Sequence, residues 1–194
     1  MLDRYAEPPR DAATLAARRE ALLDQLGWLE DEAAALAPLL ADLPEWAVAQ
    51  APLPTDLSAK QTFAFLTSLD REVYPEWLRL VQAEDTPALN TPEAGTPEAD
   101  TAGSDGGAND RPLDDLLADL RAARADLRHQ FAEVPAGAWS RSATLDGTET
   151  DLYGVALAIV QRDADHLKEL AYRLHEADLR PPTPTSDLPR PPGA

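Results

Sequence analysis

Apolar residues recur at helical spacing in four long stretches of the chain. The predicted helices run from Asp11 to Ala37, from Ser58 to Val81, from Pro112 to Phe131, and from Thr150 to the residue before Pro181. Within each stretch the apolar residues stand three or four positions apart, as they do on one face of an α-helix. Four amphipathic helices of similar length predict an all-α protein, folded as a four-helix bundle.

Local signals mark where these helices begin and end. Asp11 is a predicted cap of the first helix, and Pro38 is predicted to limit it. The second helix opens with a capping box, in which Ser58 is followed three residues later by Gln61. Pro75 lies inside this helix and is predicted to bend or break it, because its ring removes a donor and clashes with the preceding turn.

The stretches between the helices predict loops. Trp46 and the prolines around it are assigned to a loop, and no segment has a clear strand pattern, although residues 139–147 are compatible with a short extended piece. Trp139 in this piece is predicted to anchor the core or, alternatively, to line a ligand cleft. The sequence from Asp146 to Asp151 predicts a turn followed by a helix cap.

Two segments have the composition of disordered chain. Residues 84–110, between the second and third helices, contain seven acidic residues and no basic residue, together with three prolines and four glycines. Such a segment cannot bury enough apolar area to offset its ordering entropy, so we expect a long, acidic, disordered loop. Residues 180–194 form a proline-rich tail. The predicted organisation is therefore one bundle domain over residues 1–179, with a flexible insertion at 84–110, and a disordered tail.

The charge and the absence of cysteine exclude several classes of function. The formal net charge is -18, from 35 acidic and 17 basic side chains. This field repels nucleic-acid phosphates and anionic lipid, so we expect neither nucleic acid nor membrane as a partner. The chain has no cysteine, which excludes disulfides, thiolate nucleophiles and Cys-ligated metal sites. Because the N-terminus has no apolar leader pattern, a cytoplasmic location is the default expectation.

The fourth predicted helix carries polar residues on its apolar face. With Leu152 as zero on a helical wheel, Asp163 falls at about 20°, His166 at about -40° and Arg162 at about -80°. A carboxylate on a core-facing stripe needs a cation, a metal or hydrogen bonds, because burying an unpaired charge costs several kcal/mol.

The second predicted helix supplies two further candidates. Phe65 lies on one shoulder of its apolar face, and Glu72 is expected on the same shoulder because it follows two turns later. If the shoulders of the second and fourth helices meet, Phe65, Glu72, Arg162, Asp163 and His166 line one pocket.

Three stretches in order resemble the DinB-like (DinB/YfiT) superfamily of metalloenzyme four-helix bundles. They are "DLSAKQTFAFLTSLDREVYPEWL", "PLDDLLADLRAARADL" and "TLDGTETDLYGVALAIVQRDADHLKEL", and the resemblance covers roughly residues 11–178. It implies a divalent metal, often zinc or nickel, held by one histidine of the second helix and by a pair four residues apart on the last helix. It also implies a homodimer, and relatives that include thiol-dependent transferases and isomerases.

Carried over residue by residue, the resemblance keeps one of the three ligands. The histidine of the second helix falls on Phe65, which cannot bind metal. The first histidine of the pair falls on Arg162, a permanent cation, and only the second is retained, as His166. Asp163 matches the aspartate beside the histidine. A catalytic zinc site needs three protein ligands and an open position, so the metal triad is degenerate.

These residues leave three interpretations open. Asp163 and Arg162 satisfy each other or nearby backbone; or the cluster is a pocket for a small molecule; or His166 still binds zinc or nickel with nearby carboxylates. We favour a bundle in which Arg162 takes the electrostatic role of the lost ion, with no cofactor and no catalytic activity. The alternative is a metal-dependent hydrolase or thiol transferase that uses His166, Asp163 and Glu72.

Overall fold

The structure is a computed structural model that describes residues 15–41, 43–51, 56–92 and 107–179. The proposed cap Asp11, the centre of the acidic insertion and the tail lie outside these residues. No helix in the described ranges combines the length and the hydropathy that a membrane span requires.

Four helical rods form the body of the protein, and this confirms the predicted all-α bundle. The first rod is α1 (Leu15–Leu40), and a short helix, α2 (Glu45–Ala49), follows it. The second rod is made of α3 (Ala59–Ser68), a π-helical turn (Leu69–Val73) and α4 (Tyr74–Ala83). The third rod is α5 (Leu113–Glu133) and the fourth is α6 (Leu152–Leu179). Helix α5 packs against both α1 and α3, and α6 packs against α1.

Each rod turns an apolar face toward one continuous core. Its fully buried large side chains come from every rod and from the segment that precedes α6. They are Leu22, Leu29, Phe63, Leu66, Leu69, Tyr74, Leu116, Leu120, Phe131, Trp139 and Tyr153, joined by Leu89.

The end of α1 differs from the prediction. Pro38 was expected to limit the helix, but α1 continues through it to Leu40. Proline has no backbone N–H, so one helical hydrogen bond is missing at this position. Because the helix ends two residues later, the missing hydrogen bond lies in its last turn. The segment expected to be a loop around Trp46 contains α2, although Trp46 itself is 39% exposed.

The capping box at the start of α3 is confirmed. The Ser58 hydroxyl accepts the backbone N–H of Gln61, and the Gln61 side chain accepts the backbone N–H of Ser58. The interruption predicted at Pro75 is present as the π-helical turn just before it, in which the Tyr74 N–H reaches the Leu69 carbonyl five residues back. Pro75 then occupies the first turn of α4, where a missing N–H costs nothing.

The bundle also carries a small three-stranded sheet, which the sequence indicated only as a short extended piece. Strand β1 (Ala88–Leu89) pairs in parallel with β2 (Ser142–Leu145), and β2 pairs antiparallel with β3 (Thr148–Asp151). Asp146 and Gly147 connect β2 to β3 with φ values of 49° and 79°. Positive φ at both central residues defines the hairpin turn that an Asp-Gly pair favours.

The helix cap predicted from the same stretch is present. The Asp151 carboxylate accepts the N–H of Gly154 at 2.9 Å, at the start of α6. Trp139 precedes the sheet in a 3-10 helix (Ala136–Ser140). Its ring is fully buried between Phe131 and Tyr153, with centroids 5.9 and 5.1 Å away, so Trp139 is a core anchor.

Both ends of the acidic insertion are part of the fold, which corrects the predicted extent of the flexible segment. At its start, β1 belongs to the sheet. At its end, the Ser58 hydroxyl donates to the side-chain oxygen of Asn109 at 2.6 Å. The buried Lys60 ammonium donates to the carbonyl oxygens of Asn109 and Arg111 at 3.2 and 2.8 Å. The segment that the structure leaves undescribed is therefore residues 93–106.

The hairpin turn gives a direct test of this part of the fold. Gly147→Ala should lower the free energy of unfolding by about 1 kcal/mol, because a Cβ is strained at positive φ. Gly137→Ala is the matched control: its Cβ would also meet open space, but no positive φ is required there. Urea denaturation of both variants measures the difference. Equal stabilities for the two variants would contradict the assigned turn.

Candidate functional site

The guanidinium of Arg124 joins all four rods in the interior of the bundle. Arg124 projects from α5 and is 3% exposed. Its Nη2 donates to Asp163 Oδ2 on α6 at 2.8 Å, and its Nη1 donates to the Leu29 carbonyl on α1 at 2.9 Å. Its Nε lies 3.6 Å from Asp70 Oδ2, in the π-helical turn of the second rod. One side chain therefore connects every rod of the bundle.

Two carboxylates share this one guanidinium. Asp163 and Asp70 are 1% and 2% exposed, and only Asp163 receives a hydrogen bond from Arg124. Neither oxygen of Asp70 has a hydrogen-bond donor among the described residues. Burial, and next the negative charge of Asp163, raises the pKa of Asp70 well above its ordinary value. The raised pKa favours the neutral form of Asp70, which reduces the repulsion between the two carboxyl groups.

The two acidic residues of the π-helical turn, Asp70 and Glu72, differ in burial. One extra residue in a turn rotates the rest of the helix by about 100°, so residues two turns apart no longer share a face. Asp70 is interior, four residues after the buried Leu66. Glu72, which was predicted to lie above Phe65, is exposed instead. Glu72 therefore does not share the interior with the other predicted pocket residues.

Phe65 and His166 lie together. Their ring centroids are 6.0 Å apart with an interplanar angle of 87°, an edge-to-face contact between α3 and α6. Phe65 is buried and His166 is half-buried. Burial lowers the pKa of His166, so the imidazole is favoured in its neutral form. The rings of Phe65 and His166 therefore fill the space between α3 and α6.

Arg162 turns away from Asp163 and toward the sheet side of α6. Its Nη2 donates to the carbonyl oxygen of Pro92, just after β1. Arg162 also lines a small cleft with Tyr74 and Trp77 of α4. The hypothesis that Arg162 satisfies Asp163 is thus replaced by a different pairing, in which Arg124 bonds Asp163 and Arg162 bonds backbone. The residue that neutralises the buried carboxylate comes from a helix that the pocket prediction did not include.

The residues at the three expected ligand positions do not fit a divalent metal. Phe65 has no donor atom, Arg162 is a permanent cation, and only His166 offers a lone pair. The nearest carboxylate, Asp163, already accepts from Arg124. Within the described ranges, no three His, Asp or Glu side chains lie together as a metal-binding group.

The spacing of α5 contains a signal for Arg124 that the pocket prediction missed. Arg124 follows Leu117 by seven residues and Leu120 by four, and it precedes Leu127 by three, so it belongs to the apolar stripe of α5. A buried carboxylate on one helix and an arginine on the stripe of another predict an ion pair. Asp70 carries the same signal, since it follows the buried Phe63 by seven residues and the buried Leu66 by four.

Comparison with known proteins identifies the fold. No family model matches the chain, and no curated protein matches its sequence. Among solved structures it is similar to YfiT from Bacillus subtilis, with a TM-score of 0.66 over 89% of this chain and 94% of that one. YfiT is described as a probable metal-dependent hydrolase with an unusual four-helix bundle topology. The two sequences are 13% identical, so the likeness shows a shared fold, and it supports the DinB/YfiT resemblance at that level.

Removing the central guanidinium should destabilise the protein strongly. Arg124→Met leaves two buried carboxylates without their cation, and we expect a loss of about 3–5 kcal/mol in the free energy of unfolding. Arg121→Met, on the exposed side of the same helix, should change it by less than about 0.5 kcal/mol. Urea denaturation at neutral pH measures both. A loss below about 1 kcal/mol for Arg124→Met would show that the carboxylates do not depend on this arginine.

Proposed function

We propose that the protein is a DinB/YfiT-like bundle that works without a divalent metal, as a non-catalytic protein that binds a small molecule. The observation that carries this proposal is the bond between Arg124 and Asp163. It occupies the carboxylate beside His166 with a protein cation, so His166 remains as a single ligand where three are needed.

Local charge supports the same proposal. Arg124 lies 2.8 Å from Asp163, and the positive charge of Arg162 acts on the His166 imidazole, so each of these two side chains faces a protein cation. The edge-to-face contact with Phe65 covers one side of the imidazole. A neutral histidine in this setting is a packing residue of the α3–α6 contact.

The alternative, a metal-dependent hydrolase or thiol transferase, draws support from the fold that the chain shares with YfiT. It would have to use His166 with Asp163 and Glu72. Glu72 is exposed and Asp163 is bonded to Arg124, so both would have to rearrange. The homodimer and the cytoplasmic location remain predictions from the resemblance and the sequence.

Zinc binding separates the two functions. In calorimetry on chelator-treated protein, we expect no stoichiometric binding of zinc or nickel in the submicromolar range. Thermal unfolding gives a second readout: a site saturated a thousandfold would add about 4 kcal/mol of stability, and we expect no such shift with added zinc.

The variants His166→Ala and His129→Ala identify any site that does appear. His129 is exposed on α5 and serves as the matched control. Stoichiometric, submicromolar zinc binding that is lost in His166→Ala and retained in His129→Ala would overturn the proposed function in favour of the metalloenzyme.

A further inference from the structure

The cluster around Arg124 is short of hydrogen-bond donors. Both oxygens of Asp70 and Oδ1 of Asp163 are buried and have no donor among the described residues. The two aspartates are 2% and 1% exposed, so bulk water does not reach them. A buried acceptor without a donor is costly, and three such oxygens occur together here.

The two carboxyl groups lie on one edge of the guanidinium. Arg124 Nη2 donates to Asp163 Oδ2 at 2.8 Å, and Nε lies 3.6 Å from Asp70 Oδ2. These two nitrogens form the arginine edge that ordinarily binds both oxygens of a single carboxylate. Here each nitrogen faces an oxygen from a different carboxyl group, which places Asp70 beside Asp163. The repulsion between the two groups falls when one of them carries a proton.

The neighbouring side chains supply too few donors for these oxygens. Arg71 is exposed and bonds Asp119, while Arg162 bonds the backbone at Pro92. Tyr74 follows Asp70 by one turn, and its buried hydroxyl has no partner within the described part of the chain. This hydroxyl and Arg124 Nε together bring two donors to three oxygens, so one further donor is needed. The charged and titratable groups around the pair are Arg71 and Tyr74 on the second rod, Arg124 on α5, and Arg162 and His166 on α6, while α1 contributes the Leu29 carbonyl.

We propose that Asp70 and Asp163 form a proton-binding site in the interior of the bundle, in which the Asp70 carboxyl group donates to Asp163 Oδ1. The proton turns one acceptor oxygen into a donor, so every oxygen of the pair has a partner. Burial, and next the charge of Asp163, raises the pKa of Asp70, which agrees with this assignment. Release of the proton to solvent leaves two carboxylates on one guanidinium, so the site couples the stability of the fold to pH. This coupling does not depend on the small-molecule function.

Carbon-13 NMR of the full chain, labelled at the aspartate carboxyl groups, observes the proton directly. At about pH 6 an ordinary aspartate is ionised. We expect one carboxyl resonance of the natural protein to keep the chemical shift of a protonated acid at this pH. That resonance should be absent in Asp70→Asn and present in Asp126→Asn, the matched control, which removes an exposed carboxylate of α5. A natural protein in which every aspartate is ionised at this pH overturns the proposal.

Urea denaturation at a series of pH values gives a second readout. Above about pH 4 an unfolded aspartate releases its proton, whereas the folded pair retains one. Relative to Asp70→Asn, the equilibrium constant for unfolding of the natural protein should therefore rise by up to about tenfold per pH unit, until the folded pair ionises. Asp126→Asn should follow the natural protein. Parallel pH profiles for the natural protein and Asp70→Asn overturn the proposal, and the NMR result on the natural protein decides it if Asp70→Asn does not fold.

Discussion

The structure depends on a single guanidinium that is shared by all four rods of the bundle. Arg124 bonds the Leu29 carbonyl on α1 and Asp163 on α6, and it lies beside Asp70 in the π-helical turn. A buried ion pair is not a strong source of stability in itself, because desolvation offsets most of the attraction. We infer that it acts on specificity, because a rotation that separated Arg124 from Asp163 and Asp70 would leave buried carboxyl groups without a cation.

The same interaction sets the chemistry of the site. Arg124 donates to Asp163 and lies beside Asp70, whose pKa is raised by burial, so one protein cation faces both buried carboxyl groups. With Asp163 occupied, Arg162 is left to bond the backbone at Pro92 and to face the cleft. The shared fold with YfiT is therefore compatible with a different use of the same helices. The fold supplies positions, and the side chains at those positions decide whether an ion or an organic molecule fits.

The sequence predicted much of the fold, because its helix signals are local. The Ser58 capping box and the burial of Asp163 required only periodicity and spacing. The prediction that Glu72 shares a face with Phe65 failed because a helical wheel assumes a constant rotation of about 100° per residue. A π-helical turn changes that rotation, and the sequence pattern does not reveal where such a turn occurs. The partner of Asp163 could have been found on the stripe of α5. The cleft could not, because its walls come from three elements that are distant in sequence.

The most direct measurement restores the missing ligands. Phe65 and His166 are in contact, and Arg162 precedes His166 by one helical turn, so Phe65→His combined with Arg162→His completes a three-histidine set. The account predicts that this double variant binds one zinc ion with submicromolar affinity in calorimetry, and that the natural sequence does not. A double variant that fails to bind zinc while still folded would contradict the convergence of the three positions. Tight zinc binding by the natural protein would contradict the metal-free function.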